Sequence, residues 1–220
     1  MPVSLRCLTD IVWPTLERVS PIDLVESHQG KLDDLTAIKN GRWVTYPEVA
    51  LEEARRLSAA EEERARSSEG KASTYLLMIA ALIALLTYLE NAVWDSKFGT
   101  APKFVTLPIL SIAVAYMAGA GFWAFRTVTV KVFHRVDATD LVRIWQKSDE
   151  HLLSALTAEI LSTVRLNREA VNSRVSALRM AHTFMLRGFF SFAILVVVAA
   201  GWGVWRETHP SQVPTSSVSQ

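Results

Sequence analysis

The chain has 220 residues, of which 50% are hydrophobic and 20% are charged, and its mean hydropathy is +0.21. This average is high for a water-soluble domain and favours a membrane protein. The 23 Lys and Arg residues nearly balance the 22 Asp and Glu residues, so no basic excess supports a dedicated nucleic-acid-binding function. The single cysteine, Cys7, excludes an internal disulfide framework and a multi-cysteine zinc site.

The N-terminal segment, residues 1–45, carries the signals of short helices, and we predict that it is cytoplasmic. Ser20-Pro21-Ile22-Asp23 is typical of an N-cap followed by proline in the first helical turn. Asn40-Gly41 is typical of a helix end or a turn. Thr45, with Glu48 three residues later, then predicts a capping box that starts the next helix.

Three uncharged apolar runs predict three transmembrane helices. They are Ala72–Leu89 with 18 residues, Phe104–Phe125 with 22, and Gly188–Trp205 with 18. About 20 apolar helical residues cross the hydrocarbon core of a bilayer. A soluble helix of this length would show a polar stripe, and none of these runs does. With flanking residues, the predicted spans are 72–94, 104–125 and 188–205, and residues 95–103 form the loop between the first two.

Two long helical extensions are predicted beside these spans. The first covers residues 46–71 and continues into the first span. The second lies in the segment 126–187, where apolar residues recur at helical spacing from Leu153 to Met185, interrupted by Asn167 and His182. Neither extension can bury its apolar face alone, so we predict an all-α membrane protein whose two extensions pack as a stalk. Residues 126–136 alternate in polarity, which fits either a short strand or an interfacial helix.

The distribution of basic residues predicts the orientation in the membrane. Residues 55–71 carry five Lys or Arg residues and residues 126–187 carry ten, whereas the tail 206–220 carries only Arg206. Because basic loops stay in the cytoplasm, both extensions are expected there. The loop 95–103 and the disordered, Ser/Pro-rich tail are expected on the opposite side.

Four arginines of the second extension are candidate contacts for an anion, because the planar guanidinium group suits phosphate. They are Arg165, Arg168, Arg174 and Arg179. In the alternative interpretation most of them attract anionic lipid or pair with acidic residues of the first extension. Those acids are Glu52, Glu53, Glu61, Glu62 and Glu63. The common catalytic and phosphate-loop motifs are missing from the sequence, so we predict neither an enzyme nor a cofactor.

Polar and small residues within the spans are candidates for helix packing or gating. Glu90-Asn91 lies at the far end of the first span, and an acid within a membrane suggests a functional site. Trp94, only four residues later, favours instead an acid at the interface that reaches water. Gly119 and Gly203 each follow an alanine by four residues, a spacing that lets helices approach closely and favours a homo-oligomer.

Two short motifs resemble a known family. Glu69-Gly70-Lys71-Ala72-Ser73 resembles the acid-x-Lys-Ala-Ser entry to the first span of transmembrane effectors from Pycsar antiphage systems. Asn167…Asn172-Ser173-Arg174…Leu178-Arg179-Met180-Ala181 resembles their polar helix before the final span. The resemblance covers roughly residues 65–205. This chain departs from the family pattern with Glu at position 69 and Arg at position 174, where Asp and Lys are expected.

The resemblance implies a bacterial inner-membrane effector of abortive infection. A partner nucleotide cyclase would make a cyclic pyrimidine mononucleotide, cUMP or cCMP, that activates the effector to impair membrane integrity. Within the polar helix, Asn167 and Asn172 become candidates for packing or gating. Related small membrane effectors occur in retron and CBASS defence, so another trigger is an alternative, and a membrane-anchored scaffold is an alternative from a different class. No β-rich cyclic-nucleotide-binding domain is evident in the sequence.

Overall fold

The structure, a computed structural model, describes residues 13–14, 20–94, 103–129, 133–147 and 151–209. These residues form five α-helices and no strand, which confirms the all-α prediction for this part of the chain. The helices are α1 (Pro21–Lys39), α2 (Pro47–Trp94), α3 (Lys103–Val128), α4 (Ala138–Lys147) and α5 (Leu152–Thr208). The predicted tail begins within α5, which continues to Thr208; residues 95–102 and 210–220 lie outside the described residues.

Local capping signals explain where the first two helices begin. Ser20 and Asp23 form a capping box, in which each backbone N–H donates to the other side chain at 3.1–3.2 Å. This confirms the predicted start of α1, and the helix ends before Asn40 as predicted. The prediction that Thr45 caps α2 is wrong. The Tyr46 carbonyl accepts the Ala50 N–H at 3.1 Å, and Pro47 occupies the first helical position, where its missing N–H costs nothing.

Three helices are long and apolar enough to cross a membrane: Phe104–Val128, and stretches within Pro47–Leu85 and Leu152–Thr208. The chain is therefore a multi-pass membrane protein. The 48 residues of α2 and the 57 residues of α5 correspond to about 72 Å and about 86 Å of helix. Because the hydrocarbon core is about 30 Å thick, at least half of each helix must extend beyond it.

The chain divides into two compact units. Unit 1 comprises residues 1–73 and 123–180, and unit 2 comprises residues 74–122 and 181–220. In unit 2, large apolar side chains such as Leu77, Phe122 and Phe190 are exposed, as expected for a lipid-facing surface. Its interior contains small residues of α3 packed against the fully buried Phe184 of α5.

Unit 1 is organised around regularly spaced buried faces on its helices. On α2 the buried residues are Leu51, Ala54, Ala65, Ser68 and Ala72, at steps of three, four and eleven. On α5, Asn167, Val171 and Arg174 follow the same three-and-four spacing, which is typical of helices packed side by side. Glu69 of α2 contacts Arg174 of α5, so the two predicted extensions do pack together. Asn167 lies on the buried face rather than interrupting it.

Residues 126–136 form neither of the two predicted structures where they are described. Residues 126–128 complete α3, and residues 133–137 are neither helix nor strand. The Asp137 carboxylate then caps α4, a helix that the sequence did not reveal, by accepting the Asp140 N–H at 2.9 Å. A hydrogen bond from the Thr139 hydroxyl and this backbone N–H lower the pKa of Asp137 below its ordinary value.

Candidate functional site

A surface pocket of about 190 Å³ in unit 1 gathers basic, acidic and aromatic side chains from three segments. It lies between α2, residues 133–135 and α5. Its lining residues are Glu62, Ala65, Arg66, Glu69, Phe133, Arg135 and Arg174. Three guanidinium groups and two carboxylates give the lining a formal charge of +1, so the pocket favours an anion over a cation.

One helix wall of the pocket follows directly from the sequence of α2. Glu62, Arg66 and Glu69 are four and three residues apart, so they share one helical face. Glu62 accepts hydrogen bonds from Arg66 at 2.9 Å and from Arg135 at 2.8 Å. Both arginines are largely exposed, and ion pairs of this kind contribute at most about 1 kcal/mol. An incoming anion can therefore compete with Glu62 for them at low cost.

The opposite wall contains Arg174, whose side chain is only 8% exposed. Its Nη1 donates to Glu69, whereas its Nε is buried and has no hydrogen-bond partner among the described residues. A buried donor without a partner costs about 1–3 kcal/mol, and more when the group is charged. Arg174 thus brings a mostly buried guanidinium group, paired with Glu69, to the pocket wall.

The third wall, residues 133–135, is held in place by Asn167 of α5. The Asn167 side chain accepts the His134 N–H at 2.8 Å and donates to the His134 carbonyl at 2.7 Å. Asn167 is 3% exposed, so these two bonds replace water for a backbone segment that has no helix or strand partners. Because Phe133 and Arg135 flank His134, Asn167 positions both pocket residues. The Arg135 guanidinium lies 5.8 Å from the centre of the Phe133 ring.

The pocket is suited to binding. Its donors are planar guanidinium groups, which recognise carboxylate or phosphate oxygens in a defined geometry, and Phe133 adds an aromatic ring to the lining. The volume lies below the roughly 300–1,000 Å³ typical of pockets that enclose a whole small molecule. The pocket therefore matches one anionic group rather than a complete nucleotide.

Of the four predicted anion-contact arginines, only Arg174 lines this pocket. Arg165 is mostly buried and pairs with Asp34 of α1 at 2.7 Å, and Arg168 and Arg179 are exposed on α5. The alternative prediction, pairing with acidic residues of the first extension, holds for Arg174, although its partner Glu69 is not one of the five glutamates named. Arg165 pairs instead with Asp34 of α1 and with Glu169 of α5.

The predicted packing and gating residues lie in different surroundings. Asn172 is exposed, and its side-chain oxygen accepts a hydrogen bond from the Arg64 guanidinium of α2 at 3.5 Å. Gly119 lies against Phe184 within the same chain: a Cβ atom at position 119 would be 2.6 Å from the Phe184 ring. Gly203 is half-buried in α5. Glu90 and Asn91 belong to the last turns of α2, and their side chains lie outside the described residues.

Sequence reasoning missed the pocket role of Arg66, Phe133 and Arg135. The helical spacing of Glu62, Arg66 and Glu69 was a usable signal for one wall, whereas nothing local connects residues 133–135 with Asn167. No known protein-family model, curated protein or solved structure matches this chain.

Proposed function

We propose that this protein is a membrane effector of a bacterial antiphage system that acts by abortive infection. In this proposal a partner cyclase makes cUMP or cCMP, the nucleotide binds the pocket of unit 1, and the protein then impairs the integrity of the inner membrane. The pocket and the N-terminus lie in the cytoplasm, the C-terminus lies in the periplasm, and the active form is a homo-oligomer.

The single observation that carries the proposal is the ion pair between Glu69 and Arg174 at the pocket wall. The two motifs that resemble Pycsar effectors are 105 residues apart in the chain, yet these two side chains are in contact. The two departures from the family pattern, Glu for Asp and Arg for Lys, occur at these same positions. Together they keep an acid opposite a base, as expected if the family pattern also encodes a pair.

The proposed mechanism uses the exchange of partners within the pocket. The ligand phosphate accepts from the exposed Arg66 and Arg135 and draws them away from Glu62, and it lies beside the guanidinium of Arg174, while the sugar and base remain outside the pocket beside Phe133. A ligand shifts a conformational equilibrium only by binding one state more tightly. The favoured state has altered packing between α2 and α5, and because each helix continues into a span, the change extends into the membrane and permits ion leakage.

The test uses the full chain in proteoliposomes that hold a potassium gradient. We expect cUMP or cCMP, but not cAMP, to bind in calorimetry and to collapse the potential measured with a voltage-sensitive dye. Arg174→Lys keeps the charge but lacks the Nε donor and the planar fork, so it should weaken binding at least tenfold. The matched control is Arg56→Lys, at an exposed position of α2 outside the pocket.

The outcomes separate the parts of the proposal. Binding without any loss of potential would refute membrane impairment. Leakage triggered by a cyclic oligonucleotide alone would favour a CBASS-type signal and refute the pyrimidine trigger. If Arg174→Lys and Arg56→Lys changed nucleotide binding equally, the proposal that the pocket binds the nucleotide would be refuted.

A membrane-anchored scaffold is the second candidate function, and the surface of α1 favours it. No residue of α1 is buried, and Ile22, Leu24 and Val25 are exposed. Ion pairs from Lys31 and Asp34 hold the helix on α5 and leave these apolar residues available to a protein partner. The scaffold function is supported if two results are found together. The double variant Ile22→Asp/Val25→Asp should no longer bind a protein partner that the wild-type chain binds, and nucleotides should cause no ion leakage through the wild-type chain.

A further inference from the structure

The pocket of unit 1 lies close to the part of α2 that leads into the first span. Its lining residues on α2 run from Glu62 to Glu69, and the predicted span begins at Ala72. Along the helix axis, Glu69 is about 4.5 Å and Arg66 about 9 Å before the span. The headgroup region on each side of the hydrocarbon core is about 5–8 Å thick. The part of the pocket next to Glu69 therefore lies at the depth of the lipid headgroups.

The second predicted span supports this position of the membrane surface. Its uncharged run ends at Phe125, and residues 123–128 belong to unit 1, as residues 72–73 of the first span do. The Arg126 guanidinium lies 5.2 Å from the centre of the Trp123 ring, and both residue types favour the headgroup region. Unit 1 thus contains the ends of two predicted spans and reaches the membrane surface.

Helix α5 reaches this depth before its own uncharged run begins. That run starts at Gly188, 14 residues after Arg174. Because Arg174 contacts Glu69, the two side chains lie at the same depth, next to the start of the first span. In the intervening part of α5, Ala177 and Met180 are buried within the protein. The pocket wall on α5 therefore lies as close to the headgroups as the wall on α2.

The charge and size of the pocket suit the phosphate group of an anionic lipid. The lining has a formal charge of +1, and the side chains of Arg66 and Arg135 are 70% and 68% exposed. Basic residues beside a span attract anionic headgroups. A volume of about 190 Å³ holds one phosphate group, and a lipid can keep its acyl chains in the bilayer while this group is bound.

We infer that the pocket binds the phosphate group of an anionic phospholipid from the adjacent leaflet. Arg66 and Arg135 donate to the phosphate oxygens in place of Glu62. The inference rests on the part of the proposed function that makes this pocket an anion site, and it adds a regulation of that site. The lipid phosphate occupies the pocket until the nucleotide displaces it, so nucleotide affinity should fall as the anionic lipid content rises.

Lipid binding to the full chain in mild detergent tests this inference. Native mass spectrometry measures the Kd of the first phosphatidylglycerol molecule bound, with zwitterionic phosphatidylcholine and soluble glycerol 1-phosphate as comparison ligands. Arg66→Gln removes one donor, and Glu62→Gln removes the carboxylate that competes with the phosphate. The matched controls are Arg64→Gln and Glu63→Gln, which make the same charge changes at exposed residues of α2 that do not line the pocket.

We expect phosphatidylglycerol to bind several-fold more tightly than either comparison ligand. Arg66→Gln should weaken this binding several-fold, Glu62→Gln should strengthen it several-fold, and the two controls should leave it unchanged. A gain of affinity cannot result from misfolding, so Glu62→Gln tests the site even if Arg66→Gln disturbs the fold. Equal changes in a variant and its control would overturn the inference, because general attraction to charge would then explain the binding. Binding of glycerol 1-phosphate as tight as that of the lipid would also overturn it.

Calorimetry with cUMP or cCMP, in vesicles with and without phosphatidylglycerol, separates this inference from the proposed function. Nucleotide binding that does not change with lipid composition would overturn the lipid's place in the pocket and leave the proposed function intact. Phosphatidylglycerol binding with the expected pattern of variants, but without nucleotide binding, would refute the nucleotide trigger and support the lipid site.

Discussion

Single polar residues on buried faces determine the architecture of unit 1. Asn167 and Arg174 both lie where helical spacing predicts apolar side chains, and both are more than nine-tenths buried. Their burial is possible because each has a specific partner, the His134 backbone for Asn167 and Glu69 for Arg174. The two residues therefore specify which segments come into contact. A leucine at either position would not specify them.

The Asn167 bridge is directly testable. Asn167→Ala should destabilise unit 1 by about 1–3 kcal/mol, because it leaves a backbone donor and a backbone acceptor of His134 without partners. It should also increase hydrogen exchange of the His134 amide. Asn167→Asp is the matched variant, because it retains the acceptor for the His134 N–H but loses the bond to the His134 carbonyl. In this variant the hydrogen exchange of the His134 amide should remain closer to that of the wild type.

Thermal denaturation in detergent and amide exchange by mass spectrometry measure these effects. If Asn167→Ala changed stability while leaving exchange of residues 133–135 unaltered, the role of Asn167 as the positioning residue for the pocket wall would be refuted.

At the scale of elements, close helix approach in unit 2 depends on the absence of side chains at chosen positions. Gly119 of α3 faces Phe184 of α5, and Gly188 of α5 lies against Met117 and Tyr116 of α3. Without a hydrophobic driving force between helices in lipid, such close contacts provide much of the packing energy. The small-residue spacing around Gly119, from which self-association was predicted, thus serves packing within the chain.

Alanine substitution should distinguish two glycines of the same helix. In Gly119→Ala the new Cβ would lie 2.6 Å from the buried Phe184 ring, so we expect a loss of about 1–3 kcal/mol. In Gly121→Ala the nearest atom is 3.9 Å away, so the variant should be neutral or more stable by up to about 1 kcal/mol. Unfolding by SDS titration from mild detergent measures both.

The addition of Phe184→Leu to Gly119→Ala should restore part of the lost stability, because it removes the ring that the new methyl group meets. Identical behaviour of the two alanine variants would show that α3 and α5 do not approach each other in this way.

At the scale of the whole molecule, three spans and an uneven distribution of basic residues determine the expected topology. An odd number of spans places the two termini on opposite sides of the membrane. The ten basic residues of segment 126–187, against the single Arg206 of the tail, favour a cytoplasmic location for unit 1.

Reporter fusions in a bacterial host test this arrangement. Alkaline phosphatase, which requires the oxidising periplasm to form its disulfides, should be active when fused after Lys97 or after Ser216 and inactive after Lys147. Green fluorescent protein fused at the same three positions should give the reciprocal pattern. Activity of the phosphatase at Lys147 would invert the topology and place the pocket outside the cytoplasm.

The sequence alone was sufficient for features that depend on nearby residues. The three uncharged runs identified the spans, because transfer into lipid depends on composition over about 20 residues. Ser20 and Pro21 identified the start of α1, since an N-cap followed by proline in the first turn is a signal of adjacent residues. The prediction that Thr45 caps α2 was wrong because the helix begins at Pro47, one residue later than a cap at Thr45 requires.

Only the tertiary structure selected Arg174 among the four arginines and joined Asn167 to residues 133–135. These contacts connect residues 105 and 33 positions apart, so local propensity carries no information about them. Packing likewise decided the exposure of Leu141, Val142 and Trp145 on α4. The periodicity of a short helix shows that it has an apolar side but not how much of that side the rest of the protein covers.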